Sequence, residues 1–184
     1  MARGGISTIL LGAAAALVCS GRAVAAPMLQ QDVGGTYRLH GTAHVAASPL
    51  PRRTIELRAD AVLTPGPAPR RVRVHLAAGG YACDLVASLD DDGALAFEDG
   101  QRCAVVIQSP DARGHLEARV RSGRGQLRGD HLALDLSCEL TGAVSLGGKM
   151  LDADVPGIWV PEVPVRGDAR AGAEGERDRS RAAR

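Results

Sequence analysis

The residues best suited to chemistry in this 184-residue chain lie close together, between Tyr81 and Cys103. The stretch reads YACDLVASLDDDGALAFEDGQRC, with two cysteines and two acidic turns between them. Cysteine thiolates bind metals, exchange disulfides or form structural crosslinks, and aspartate carboxylates bind calcium. The spacing of these residues decides which of these chemistries is open to the protein.

The acidic turn matches a calcium loop only in part. An EF-hand loop needs an acidic first ligand, a central glycine and a bidentate Glu at its end. If Gly93 is the glycine, then Asp90 and Asp92 are well placed, but Ser88 is the first ligand and Asp99 the last. The pattern therefore favours a polar hairpin turn. A weak surface calcium site at the three aspartates is the alternative.

The cysteines lack the spacing of redox and zinc motifs, because the sequence has no C-x-x-C pair. Cys83, Cys103 and Cys138 share the parity of the apolar residues in their segments, so they face the core. If Leu89 pairs with Ala94 across the DDDG turn, the short EDGQ turn brings Cys103 beside Cys83. We therefore predict a Cys83–Cys103 disulfide. Pairing of Cys138 with either of them is the alternative, and otherwise Cys138 is free.

Other catalytic signatures are missing from the sequence. Neither G-x-S-x-G nor H-E-x-x-H occurs. His40 and His44 share a strand face, but four strand residues span about 13 Å, too far for one ion without further ligands. The sequence therefore predicts no catalytic residue, no metal site and no cofactor. A non-enzymatic protein is the first hypothesis, and an enzyme of unrecognised type is an alternative.

The N-terminus predicts export. Arg3 precedes an apolar run over residues 6–18, and an A-x-A site at 23–25 follows, so residues 1–25 are typical of a signal peptide. The apolar run is too short to span a membrane, and we predict no transmembrane segment in the mature chain. Lipid anchoring through Cys19 is the alternative. Export to the periplasm or the medium would allow a disulfide to persist.

The charge balance argues against two classes of partner. The chain has 22 Lys and Arg against 21 Asp and Glu, with no large block of one sign. A nucleic-acid partner or a membrane-surface partner is therefore not expected, because anionic phosphate backbones and membrane surfaces select proteins with a positive surface.

The body of the chain alternates apolar and polar residues, as a half-buried strand does. In residues 53–63, for example, Ile55, Leu57, Ala61 and Leu63 alternate with polar neighbours. Such runs recur about every ten residues between Gly- and Asp-rich turns, which predicts an all-β fold. We expect an antiparallel meander of eight to ten strands closed as a small soluble barrel, with a β-sandwich as the alternative.

Composition changes divide the chain into segments. The prediction comprises a signal peptide (1–25), a short linker (26–34), the β-domain (35–146), a Pro-rich extended segment (147–165) and a charged tail (166–184). The tail has no aliphatic residue larger than alanine, so it is predicted to be disordered.

The pattern Gly80-Tyr81-x-Cys83, followed by Gly100-Gln101-x-Cys103, resembles one found in exported all-β proteins of high-GC bacteria for which no activity is known. The resemblance covers residues 80–140 and implies a cysteine pair within a β-domain. The leading functional hypothesis is an interaction or structural domain of the cell envelope with a protein partner. A lipocalin-like carrier of a small apolar ligand is the alternative.

Overall fold

The computed structural model describes residues 33–79, 81–108, 112–147 and 159–181. The predicted signal peptide, Cys19 and most of the predicted linker lie outside these residues. Within the described residues no helix is long and apolar enough to cross a membrane.

Nine strands make up the described structure. They are β1 (Gly35–Ser48), β2 (Arg53–Pro65), β3 (Arg71–Ala78), β4 (Tyr81–Leu89), β5 (Ala94–Phe97), β6 (Arg102–Gln108), β7 (Ala112–Arg128), β8 (His131–Gly147) and β9 (Trp159–Arg177). A short 3₁₀ turn at Arg179–Arg181 follows β9.

The strands form one antiparallel sheet that closes on itself. Except for β5 and β6, chain neighbours pair with each other around the sheet, and β1 pairs with both β2 and β9, which completes the ring. The prediction of an all-β fold with eight to ten strands is confirmed. The ring is uneven, because β3 has 8 residues whereas β8 has 17 and β9 has 19. We call the end with the β1–β2 connection the upper end, and the end with the β2–β3 turn the lower end.

β5 and β6 share one position in the ring, end to end. Both run antiparallel to β4 and to β7, β5 near the lower end and β6 above it. The residues between them interrupt the pairing. The Gln101 side chain bridges this interruption, because its amide oxygen accepts from the Val86 backbone N–H (2.6 Å) and its NH₂ donates to the Val86 carbonyl (2.9 Å). β7 is irregular between Val120 and Ser122, beside the same interruption.

Alternation fills the interior of the ring with apolar side chains. Most strands bury alternate residues, β9 half-buries its inward residues from 167 to 175, and no polar or charged residue in the described part of the chain is buried. The largest fully buried side chains are Tyr37, Leu63, Leu85, Leu95, Leu127 and Leu132. Burial of each Leu or Val stabilises the fold by about 1.5–3 kcal/mol, so this packed interior is the main source of stability.

The prediction of a disordered tail from residue 166 is corrected by the structure, in which β9 continues to Arg177. Over residues 166–176 β9 pairs with β1 on one side and with β8 on the other. Its inward residues are small, and its outward residues are mostly charged. Composition predicted disorder because the segment has little apolar area to bury. The tail is ordered because two neighbouring strands pair with its backbone and because small residues fit where the strands approach closely.

The close approach is clearest at two glycines of β9. A Cβ atom built on Gly175 would overlap the Arg38 carbonyl oxygen, and one built on Gly167 would overlap the Ala46 carbonyl oxygen. The small residues that indicated disorder are therefore those that the closed ring requires at these positions.

Polar contacts fasten the lower end of β9. Arg177 donates from Nη2 to the Tyr37 hydroxyl (3.0 Å) and lies over the Tyr37 ring, 5.5 Å from its centroid. Arg179 forms an ion pair with Asp130 in the β7–β8 turn, and Arg38 donates to Asp178 (2.7 Å). We call these contacts the latch. Because they join the end of β9 to β1 and to the β7–β8 turn, they help to hold the ring closed.

Candidate functional site

The structure joins Cys83 and Cys103 by a disulfide, the pairing that the sequence predicted. The expected register differs in detail, because Leu89 pairs with Leu95 rather than with Ala94. Between β5 and β6 the register on β4 shifts by two residues, and this shift sets the cysteines opposite each other with Cα atoms 4.7 Å apart. Both cysteines are buried, so the bond crosslinks two adjacent strands inside the ring.

The aspartates of the calcium alternative are used by the turns that contain them. One carboxylate oxygen of Asp90 accepts the backbone N–H groups of Asp92 (3.0 Å) and Ala94 (2.7 Å), which closes the β4–β5 turn. Asp99 lies beyond the other end of β5, and four strand residues span about 13 Å. Among the residues that the structure describes, no group of three His, Cys, Asp or Glu side chains could hold a metal ion.

Cys138 is free and half-buried on the inner side of β8, near Tyr81. Burial raises the pKa of the Cys138 thiol above its usual value. Burial, followed by the negative charge of an ionised Cys138, raises the pKa of Tyr81 to about 12. Both groups therefore stay protonated at neutral pH. A protonated thiol is a poor nucleophile, so this pair supports a packing role.

The ring has a gap at its upper end, between β2 and β6. β3 pairs with β2 only up to Asp60, and β4 pairs with β6 only up to Val105. Above the β3–β4 hairpin, residues 53–59 of β2 and 106–108 of β6 therefore each have one strand neighbour among the described residues. We call this gap the notch.

Apolar residues line the notch and are open to solvent. Ile55 has the inward parity of β2 yet is 47% exposed, and Leu57 beside it is half-buried. On the other side, Ile107 has the inward parity of β6 and is half-buried, whereas Val106 has the outward parity and is 36% exposed on the outer face. Ile55 and Val106 are the large hydrophobic residues that the described structure exposes most. The notch thus combines the exposed aliphatic side chain of Ile55 with strand backbone that has no second strand partner among the described residues.

Two grooves lie on the outer surface of the ring. The first, of about 450 Å³, crosses β2, β1 and β9 and is lined by Arg52, Arg53, Asp168 and Arg170 together with the polar His44 and Thr54 and the aliphatic Val45, Ala46 and Ala169. The second, of about 460 Å³, crosses β6, β7 and β8 and contains Arg102 and Glu117. Neither has the enclosed apolar lining that a carrier of a small apolar ligand needs.

Sequence reasoning placed Ile55 and Leu57 in the core and so missed the notch. The lengths of two sequence segments could have indicated the notch, because the alternating run that forms β2 is longer than the run that forms β3. Two paired strands of unequal length leave the longer one with a free edge. Comparison of the chain with protein-family models, with curated proteins and with solved structures found no match.

Proposed function

We propose that this protein is an exported, non-enzymatic β-domain that binds an extended segment of a partner protein at the notch. The observation that carries the proposal is the free edge of β2 from Arg53 to Ala59, which includes the inward-facing yet exposed Ile55. The buried Cys83–Cys103 disulfide supports export, because such crosslinks persist in oxidising compartments.

The free edge favours a strand as the bound element. Along β2, alternate backbone N–H and C=O groups point away from β1 and toward the notch. A ring that closes completely leaves no such edge, and exposed edges readily accept an added strand. Seven edge residues extend about 23 Å, which suits a partner segment of similar length. Ile55 and Leu57 provide apolar contacts for every second side chain of that segment.

Peptide selection against the purified protein tests this function. We expect the selected peptides to alternate apolar and polar residues and to lose binding when a central residue is replaced by proline. Ile55→Asp should weaken binding at least tenfold, because it places a charge at the apolar contact. Val62→Asp is the matched control, since it changes an aliphatic residue on the outer face of the same strand, and it should leave affinity within twofold.

Hydrogen exchange locates the bound peptide. In the free protein, amides of residues 53–59 should exchange faster than those of residues 60–65, which β3 covers. Bound peptide should protect residues 53–59. Equal binding by the Ile55→Asp and Val62→Asp variants, or protection elsewhere on the ring, would contradict the proposal.

The carrier hypothesis stays a prediction, and a fluorescent fatty acid tests it in the same samples. Saturable binding of this probe that survives Ile55→Asp would favour a carrier over a strand-binding domain. Export is tested separately by cell fractionation and thiol labelling. The proposal expects the protein outside the cytoplasm, with Cys83 and Cys103 resistant to alkylation before reduction.

A further inference from the structure

The first outer groove, which we call the basic groove, carries an excess of positive charge. Three arginines line it, Arg52, Arg53 and Arg170, and one carboxylate, Asp168, lies among them. None of these four side chains forms a salt bridge with another residue in the described part of the chain. Together these four side chains give the groove a net charge of +2.

The three arginines come from two parts of the fold. Arg170 projects outward from the middle of β9, opposite His44 of β1. Arg52 and Arg53 stand where β2 begins, after a connection that holds Pro49 and Pro51. Proline restricts backbone freedom, so this connection presents its arginines at a low entropic cost.

The floor of the groove adds further hydrogen-bonding groups. His44 Nδ1 and Thr54 Oγ1 lie 2.9 Å apart across β1 and β2. Ala46 lies opposite Asp168 and leaves space between the longer side chains. The groove therefore has room for a compact group beside the arginines.

Glu139, a carboxylate of the neighbouring strand β8, does not form a salt bridge with Arg170. Glu139 of β8 lies opposite Asp168, and it accepts a hydrogen bond from Arg121 of β7 (2.6 Å). The second groove shows the contrasting case. There Arg102 and Glu117 lie 3.5 Å apart and balance each other, so a groove of similar size has no net charge from this pair.

From this geometry we infer that the basic groove binds a phosphate group, either free or on a lipid headgroup. A phosphomonoester carries a charge of about −1.5 to −2 at pH 7, which matches the two positive charges in excess. Guanidinium groups donate paired hydrogen bonds to phosphate oxygens, which lysine cannot do with the same geometry. Because the Asp168 carboxylate accepts hydrogen bonds, the site favours ligands that also carry a hydrogen-bond donor, such as a hydroxyl group or a protonated phosphate oxygen.

Calorimetric titration of the purified protein with inorganic phosphate and with glycerol phosphate tests the free ligand. Flotation with vesicles of phosphatidylcholine, alone or mixed with phosphatidic acid, tests the headgroup. Saturable binding in either arm supports the inference, and the arm that gives it identifies the source. Arg170→Ala should weaken that binding at least tenfold, and Asp168→Asn should strengthen it by about threefold because it removes the one negative charge.

Arg102→Ala is the matched control, since it removes an exposed arginine from the second groove. It should change affinity by less than twofold. Circular dichroism should show the same fold for all variants, because every substituted side chain is on the outer surface. An equal loss of binding in Arg102→Ala and Arg170→Ala would overturn the inference by showing a general charge effect. Absence of binding at millimolar phosphate and to both vesicle types would also overturn it.

Discussion

Two parts of the ring are held by different forces. The disulfide wall, which comprises β4, β5 and β6, packs large apolar side chains and contains the covalent Cys83–Cys103 crosslink. The tail strand, β9, offers the interior mainly Ala and Gly from residue 167 onward, and it is held by backbone pairing on both sides and by the latch. The comparison teaches that a strand can complete a ring without a large apolar face of its own, provided that both of its neighbours are already in place.

Deletion of residues 166–184 gives the largest expected effect on this comparison. The deletion exposes the edges of β1 over residues 37–48 and of β8 over residues 131–141. We expect a loss of more than about 5 kcal/mol, the lower end of the stability of a typical domain, so the truncated chain should not fold. Circular dichroism and denaturant unfolding measure this. A truncated chain that unfolds like the full chain would show that β9 adds nothing to the ring.

Removal of the crosslink tests the disulfide wall. The double substitution Cys83→Ala and Cys103→Ala opens the loop that the disulfide closes, which has a sequence separation of 20. The loss of loop-closure constraint should lower the free energy of unfolding by about 3 kcal/mol. Urea unfolding of both proteins measures the difference. Cys138→Ala is the control and should cost clearly less, because Cys138 crosslinks nothing. A smaller loss in the double variant than in the control would contradict the assigned role of the crosslink.

Glycine substitutions test whether close approach explains the small residues of β9. Gly175→Ala places a methyl group against the Arg38 carbonyl oxygen and should destabilise the protein by about 1–3 kcal/mol. Gly172→Ala is the control on the same strand, since a Cβ atom there meets nothing within 4 Å. It should change the free energy of unfolding by less than about 0.5 kcal/mol. Equal effects at the two positions would mean that strand propensity, rather than steric overlap, determines the change in the free energy of unfolding.

Acid should loosen β9 before it affects the disulfide wall. A hydrogen bond from Arg179 lowers the pKa of Asp130, and hydrogen bonds from Ser180 lower that of Asp178. Because the folded-state pKa values lie below the unfolded ones, these carboxylates stabilise the fold above about pH 5, and the contribution disappears as the pH falls through the folded values. Hydrogen exchange of residues 170–177 between pH 6 and 2.5 measures the loosening.

Two substitutions at the lower end separate the latch from general acid effects. Asp130→Asn should make exchange of residues 170–177 faster at pH 6 and less dependent on pH. Asp91→Asn, which removes the exposed ion pair with Arg70 at the β4–β5 turn, should leave the acid response of β9 unchanged. A similar change in both variants would assign the effect to overall charge rather than to the latch.

The sequence predicted the fold class and the crosslink because both depend on local patterns. Period-two alternation shows which face of each strand is buried, and Gly- and Asp-rich turns show where strands end. The parity of Cys83 and Cys103 set both toward the core, and the short turns kept them close in the chain. The register that aligns them required the structure, because the alternation pattern does not show the two-residue shift between β5 and β6, which the Gln101 contacts with Val86 bridge.

The sequence by itself determined that the chain forms amphipathic strands with apolar residues on one side. Only the tertiary structure decided that β9 belongs to the ring, that Ile55 borders a notch instead of lying in the core, and that Arg52, Arg53 and Arg170 share a groove. The physical reason is that burial and charge balance depend on neighbours distant in the chain. Residues 166–176 gain their partners from β1 and β8, whereas Ile55 is exposed because β3 ends before reaching it.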